Sequence, residues 1–162
     1  MNSGNQNITA IVFRGFSLIE LVIVIMLIGI FTVIAMTRTN TGLSTIREQI
    51  AIDQITSDID LVRSMAFAKR KTVSIVFNDQ DESYTIYEDG EVVSDFPNSN
   101  GGTIQLDNAM LKDVDIQAVS FSGTNNNELK FLPLGDIESG GSILLNTKTI
   151  SVEDVSGKWS VN

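Results

Sequence analysis

The sequence predicts an α+β fold in which one long N-terminal helix, apolar in its first half and amphipathic in its second, packs on antiparallel β-sheets. Three observations lead there. An aliphatic run, Phe16 to Met36, is long enough to cross a bilayer, since a helix rising ~1.5 Å per residue covers roughly 30 Å over that length. Further on, Ile52, Ile55, Ile59, Val62 and Ala66 step by three and four, with Met65 beside them, which is the period of a helix with one apolar face. From Lys71 the hydrophobic period changes to two and stays there. A helix followed only by strands builds antiparallel sheets against that helix, and excludes an alternating α/β nucleotide-binding fold.

Between the two helical patterns, Thr37-Arg38-Thr39-Asn40-Thr41-Gly42 is polar and poor in helix formers, so the helix is expected to loosen or bend there. In the amphipathic part Asp53, Asp58, Asp60, Arg63 and Lys69 fall mainly on the outward faces, with Asp60 and Arg63 spaced for a surface ion pair worth a few tenths of a kcal/mol. Lys69-Arg70-Lys71 suits a helix C-terminus, where cations complement the dipole. The alternative for this basic run is a contact with an acidic neighbour or with lipid headgroups.

Nine short strands follow: Thr72 to Phe77, Ser83 to Tyr87, Glu91 to Ser94, Thr103 to Leu106, Ile116 to Phe121, Glu128 to Leu132, Ser142 to Leu145, Thr149 to Val152 and Lys158 to Val161. Asp89-Gly90 marks a hairpin. Asn98 to Gly102 and Thr124 to Asn127 read as exposed loops, and Gly101-Gly102 and Gly140-Gly141 as turns, because neither pair has the spacing or the lysine of a phosphate-binding loop. Trp159 is expected in the core.

Composition narrows the chemistry. The chain has 162 residues, enough for one modest domain beside the apolar run, and carries 11 basic against 20 acidic side chains, a formal charge of −9. From Thr72 onward there are four basic and fifteen acidic residues, a net of −11. Such a surface repels phosphate backbones, so no nucleic-acid partner is expected. Cysteine and histidine are both absent, which removes disulfides, thiolate metal sites, and the commonest general base and metal ligand. Asp79, Asp81 and Glu82 put three carboxylates in one turn, but solvated turn charges are the expected reading, not a Ca²⁺ site. No acidic pair is singled out by spacing. The chain is expected to have no cofactor, no metal and no catalytic residue, and not to be an enzyme.

The one ionisable side chain in the apolar run is Glu20. A charge at mid-bilayer costs ~2.5 to 3.5 kcal/mol, and less near a helix end, so Glu20 calls for a partner. Three readings compete. A secretory signal would have a shorter apolar core and a small-residue cleavage site, for which Val33-Ile34-Ala35 is a poor match. In a plain anchor Glu20 snorkels to the headgroups near the positive end of the helix dipole. In the third reading the chain is cut between Gly15 and Phe16, creating an α-amino cation one turn before Glu20 that can pair with the carboxylate of a neighbouring subunit. Arg14 then holds the preceding segment in the cytoplasm, and Gly15 offers a protease an unhindered bond.

Arg14-Gly15-Phe16-Ser17-Leu18-Ile19-Glu20, followed at once by the aliphatic run, resembles the prepilin leader and N-terminal segment of type IV pilins and type II secretion pseudopilins. The resemblance implies a pilin-like fold, cleavage after Gly15 by a prepilin peptidase, N-methylation of Phe16, and a role for Glu20 in filament assembly. It divides the chain into a leader (1–15), a transmembrane helix (16–36), its amphipathic continuation (37–71) and a β-rich periplasmic head (72–162). It departs from the family in having Arg14 as the only charge of the leader and no proline in the apolar helix, where Gly29 is the residue expected to loosen it. Phe131-Leu132-Pro133-Leu134-Gly135-Asp136, then Gly141 to Leu145, Ile150 to Val152 and Gly157-Lys158-Trp159, resembles the closing pattern of H-type minor pseudopilins and FimT-like minor pilins, as does the Arg63 to Val76 segment. The implied protein is a minor pseudopilin in the inner membrane, assembled near the tip of a pseudopilus. Its implied partners are other pilin or pseudopilin subunits, the prepilin peptidase, the inner-membrane assembly platform and the membrane. The rivals are a FimT-like minor pilin of a type IV pilus and a membrane-anchored periplasmic binding module with an uncleaved helix.

Overall fold

The computed structural model describes residues 17–162, with the side chains of 36–41 left aside. The chain divides into two compact units, one ending at Asn40 and one running from Thr41 to Asn162. A single α-helix, α1 (Leu18–Lys69), contributes to both. Its backbone is helical at Gly29 and at residues 37–42.

In the first unit every described side chain of Leu18–Ala35 is exposed, and this is the one span among the described residues with the length and hydropathy to cross a membrane. In the second unit the period-three-and-four stripe does what the sequence predicts: Ile52, Ile55, Ile59, Val62 and Ala66 are buried, with Ala51, while Met65 packs against them partly covered. Nine strands follow, β1 (Val73–Asn78), β2 (Ser83–Glu88), β3 (Glu91–Val92), β4 (Thr103–Gln105), β5 (Ala118–Phe121), β6 (Glu128–Phe131), β7 (Gly141–Leu144), β8 (Thr149–Val152) and β9 (Trp159–Val161). Each lies within two residues of a strand expected from the sequence.

All pairings are antiparallel. One sheet runs β3-β2-β1-β6, with β4 also on β2; the other runs β5-β7-β8-β9. Alternation puts Val73, Ile75 and Phe77 of β1 and Ile143, Ile150 and Val152 of the second sheet into one core with the helix. Phe77 joins the two sheets, lying 5.6 Å from the ring of Tyr84 and stacked 6.1 Å from that of Phe121. Aromatic pairs at such distances add about 0.5–1.5 kcal/mol beyond the area they bury.

The Asp89-Gly90 hairpin forms as expected, with φ of 50° and 88° at its centre and Glu88 opposite Glu91. Gly101-Gly102 also turns, with Asn100 bridging Thr103. Gly140-Gly141, expected as a turn, is instead a place where backbones meet. A Cβ on Gly141 would lie 2.2 Å from the Ser120 carbonyl oxygen across the β5–β7 ladder, and one on Gly140 2.4 Å from that of Val152. These glycines are required for close approach and not for a turn.

Candidate functional site

Two regions of the chain carry possible function: the uncovered apolar helix with its single acid, and the surfaces by which the head holds α1 and meets other molecules. Ser17 precedes the helix and its carbonyl accepts from the N–H of Glu20 and of Leu21, at 3.0 and 3.2 Å, so Glu20 stands in the first turn. Ser17 and Glu20 have the spacing of a capping box, and a carboxylate there is favoured by the orphan N–H groups and the dipole. Glu20 is exposed, and among the described residues it forms no ion pair. Gly15 and Phe16, the expected cleavage and methylation positions, lie outside the described residues.

Facing the head, α1 uses polar side chains that sequence reading placed on outward faces or passed over. Glu48 is buried, its Oε1 accepting from the N–H of Thr147 and Lys148 at 2.7 and 3.0 Å and its Oε2 from the Thr147 hydroxyl at 2.8 Å. It falls one turn before Ile52, in line with the apolar stripe, and that position was the signal for its burial. Asp58 is buried too, accepting from the Tyr84 hydroxyl at 2.5 Å. The expected Asp60–Arg63 pair does not form. Asp60 accepts from the Trp159 indole at 3.2 Å, and Arg63 Nε donates to the Gly135 carbonyl at 3.1 Å, because tertiary acceptors and donors reach both before they reach each other. Trp159 is accordingly half-buried at the helix edge instead of in the core.

At the helix end Arg70 adopts φ 55°, the left-handed turn that stops a helix. Lys69 and Lys71 both reach Glu88, at 2.5 and 2.7 Å, and these bonds hold its carboxyl below the usual range. The basic run therefore closes an internal ion-pair cluster. In the acidic turn Asp79 and Asp81 are exposed, as expected of turn charges, while Glu82 is partly covered: its carboxylate accepts from the Ile116 N–H, and burial followed by the nearby Asp115, Asp79 and Asp107 raises its pKa on balance. Among the described residues no group of three or more acidic side chains is arranged to hold a metal ion.

Asp58 gives a pH-dependent prediction. Burial raises its pKa, and the Tyr84 hydroxyl only partly offsets this. A carboxyl with a raised folded-state pKa contributes stability that is complete below its unfolded value and is lost as pH rises through the folded one. Asp58→Asn keeps an acceptor for Tyr84 and removes that loss, so the variant should gain stability relative to the parent between pH 3 and pH 7. Denaturant melts of both proteins at the two pH values measure the difference; an unchanged difference would show that Asp58 is not desolvated.

A bilayer-length apolar helix with an acid in its first turn, leading into a head of two antiparallel sheets built on the second half of the same helix, defines a pilin-class subunit. The match to a family model narrows this. Residues 51–161, more than half of the chain, match the family described as type II transport protein GspH, and the chain belongs to that family. Among solved structures the chain is similar to the type IV minor pilin FimU of Pseudomonas aeruginosa, with 13% identity, a TM-score of 0.46, and coverage of 70% of this chain and 87% of that one. No curated protein matches the chain. The family consists of pilin and pseudopilin structural subunits that assemble with one another, and a minor pseudopilin or pilin role follows for this chain.

Proposed function

We propose that the chain is a minor pseudopilin of a type II protein secretion system. Residues 1–15 are a prepilin leader removed between Gly15 and Phe16, Phe16 is N-methylated, 16–36 span the inner membrane, 37–71 continue the helix, and 72–162 form a periplasmic head. The protein performs no catalysis; it moves from the membrane into the pseudopilus, taking a place near the tip. The observation that carries this reading is the pairing of a GspH-family head with an apolar helix that leaves every described side chain of Leu18–Ala35 uncovered and sets one acid in its first turn. Lipid covers such a surface in the membrane, and neighbouring helices cover it in a filament, where Glu20 also meets the new terminal cation.

Mass spectrometry of the protein isolated from membranes and from sheared filaments tests it. The mature chain should begin at Phe16 with one methyl group on its amine. A chain retaining Arg14-Gly15, or beginning elsewhere, contradicts the prepilin reading and leaves the uncleaved anchor in its place.

A further inference from the structure

Among the large apolar side chains that the head exposes, two share one depression. Phe67 on α1 and Leu134 in the turn after β6 are 64% and 63% exposed, and together with Arg63, Ser64 and Gly135 they line a shallow depression of about 310 Å³. Leu132, from the same turn, is 38% exposed. Across Arg63 lies the β8–β9 turn, where a Cβ at Gly157 would be 3.9 Å from Arg63 Cζ. Isolated exposed leucines need no explanation, but an apolar rim around one guanidinium does.

The backbone adds an independent observation. Leu134 has φ 141°, a region that side chains other than glycine's adopt only under constraint. The turn is fixed by Gly135 N–H to the Leu132 carbonyl at 2.9 Å, Leu132 N–H to the Asp136 carbonyl at 2.7 Å, and Arg63 Nε to the Gly135 carbonyl at 3.1 Å. Glycine at 134 would relieve the strain, yet a large apolar residue is held there facing solvent. Arg63 spends only Nε on this turn; its terminal nitrogens make no hydrogen bond or ion pair among the described residues and stay available beside the apolar rim.

From these residues we infer that the Arg63, Phe67 and Leu134 patch is the docking surface for a neighbouring pilin-class subunit, which inserts an apolar side chain flanked by a carboxylate. Charge complementarity selects this occupant. The guanidinium recognises a carboxylate, and the low-polarity rim strengthens that bond. A membrane surface is disfavoured, because the strand-bearing part of the head has a net charge of −11 and repels anionic headgroups. A symmetric contact with the same patch of a second copy would place Arg63 against Arg63, so the partner offers a different surface. The inference rests on the pseudopilin reading above, since it requires that the chain assemble with other subunits.

The test uses the full chain in its native cells, with a photo-crosslinking amino acid at Leu134 or, as a control, at the equally exposed Met110, together with the variant Leu134→Gly. The Leu134 probe should yield an adduct to an acidic and apolar segment of another filament subunit, at least about fivefold more than the Met110 probe. Leu134→Gly should fold, with an unchanged or higher melting temperature, and should co-isolate with filament subunits about tenfold less than the parent. Equal co-isolation of the glycine variant, adducts only to lipid, or equal yields from both probes overturns the docking surface while leaving the pseudopilin reading intact. Absence of the parent protein from filaments fails that reading and takes the docking surface with it.

Discussion

Glu20→Ala should leave membrane insertion and leader removal intact while lowering incorporation into filaments at least about tenfold, and Glu20→Gln should behave like the alanine variant. Insertion survives because the remaining span is more apolar without the acid, and the other side chains of Leu18–Ala35 supply the transfer energy. Leader removal survives because the proposed bond lies between Gly15 and Phe16, on the far side of Ser17 from Glu20. Assembly is where the acid acts. A close, poorly solvated charge pair couples two partners by about 1.5–7 kcal/mol, and each 1.4 kcal/mol is tenfold in an equilibrium constant. The glutamine variant separates charge from shape, since it keeps the size and an acceptor and loses only the ionic attraction. Quantifying the protein in sheared filaments, against processed protein in membranes, gives the ratio. Glutamine at parental level would show that Glu20 packs or caps the helix and does not recruit a terminal cation.

The parts of the molecule that were legible in the sequence are those in which one local pattern meets one physical demand. Ile75 to Asn78 of β1 and Tyr84 to Tyr87 of β2 alternate in burial, so the period of two located those strands, and Asp89-Gly90 announced the turn between β2 and β3 because only certain residues tolerate its dihedrals. The buried stripe of α1 was equally plain. Strand order was not, since nothing local says that β6 returns to β1 while β5 crosses to β7 in the other sheet. The burial of Asp58 and the partners of Asp60 and Arg63 were misread for a related reason. Asp58, Asp60 and Arg63 find partners 26, 99 and 72 residues away, and a one-dimensional pattern cannot distinguish a carboxylate aimed at water from one aimed at a buried hydroxyl. Gly140-Gly141 failed similarly: the need for glycine arises from a carbonyl on another strand. For the proposed assembly site the motif around Glu20 was legible, and the docking patch was not, because only the fold brings Leu134 to Arg63 and Phe67.

A large loss of stability is expected from Glu48→Ala. Its carboxylate receives three donors, the Thr147 and Lys148 N–H groups and the Thr147 hydroxyl, and it ties the first turns of the packed part of α1 to the β7–β8 turn. Alanine leaves those donors partly buried without an acceptor, and each such group costs about 1–3 kcal/mol, so a total near 3 kcal/mol is expected after water reaches the more open ones. For a head of this size that corresponds to a melting temperature lower by about 10 °C. Glu48→Gln should fall between, because its oxygen can still accept while its NH₂ is turned toward another donor. Thr147→Ala removes only the hydroxyl and should cost about 1 kcal/mol, and in the double variant the threonine change should cost almost nothing, since its acceptor has already gone. Thermal unfolding of the full chain in detergent, followed by the fluorescence of Trp159 at the edge of α1, reports the separation of helix and sheet directly. A Glu48→Ala protein melting within about 2 °C of the parent would mean that apolar burial along Ile52, Ile55 and Ile59 holds the helix by itself, and that Glu48 sets only the register of the β7–β8 turn against it.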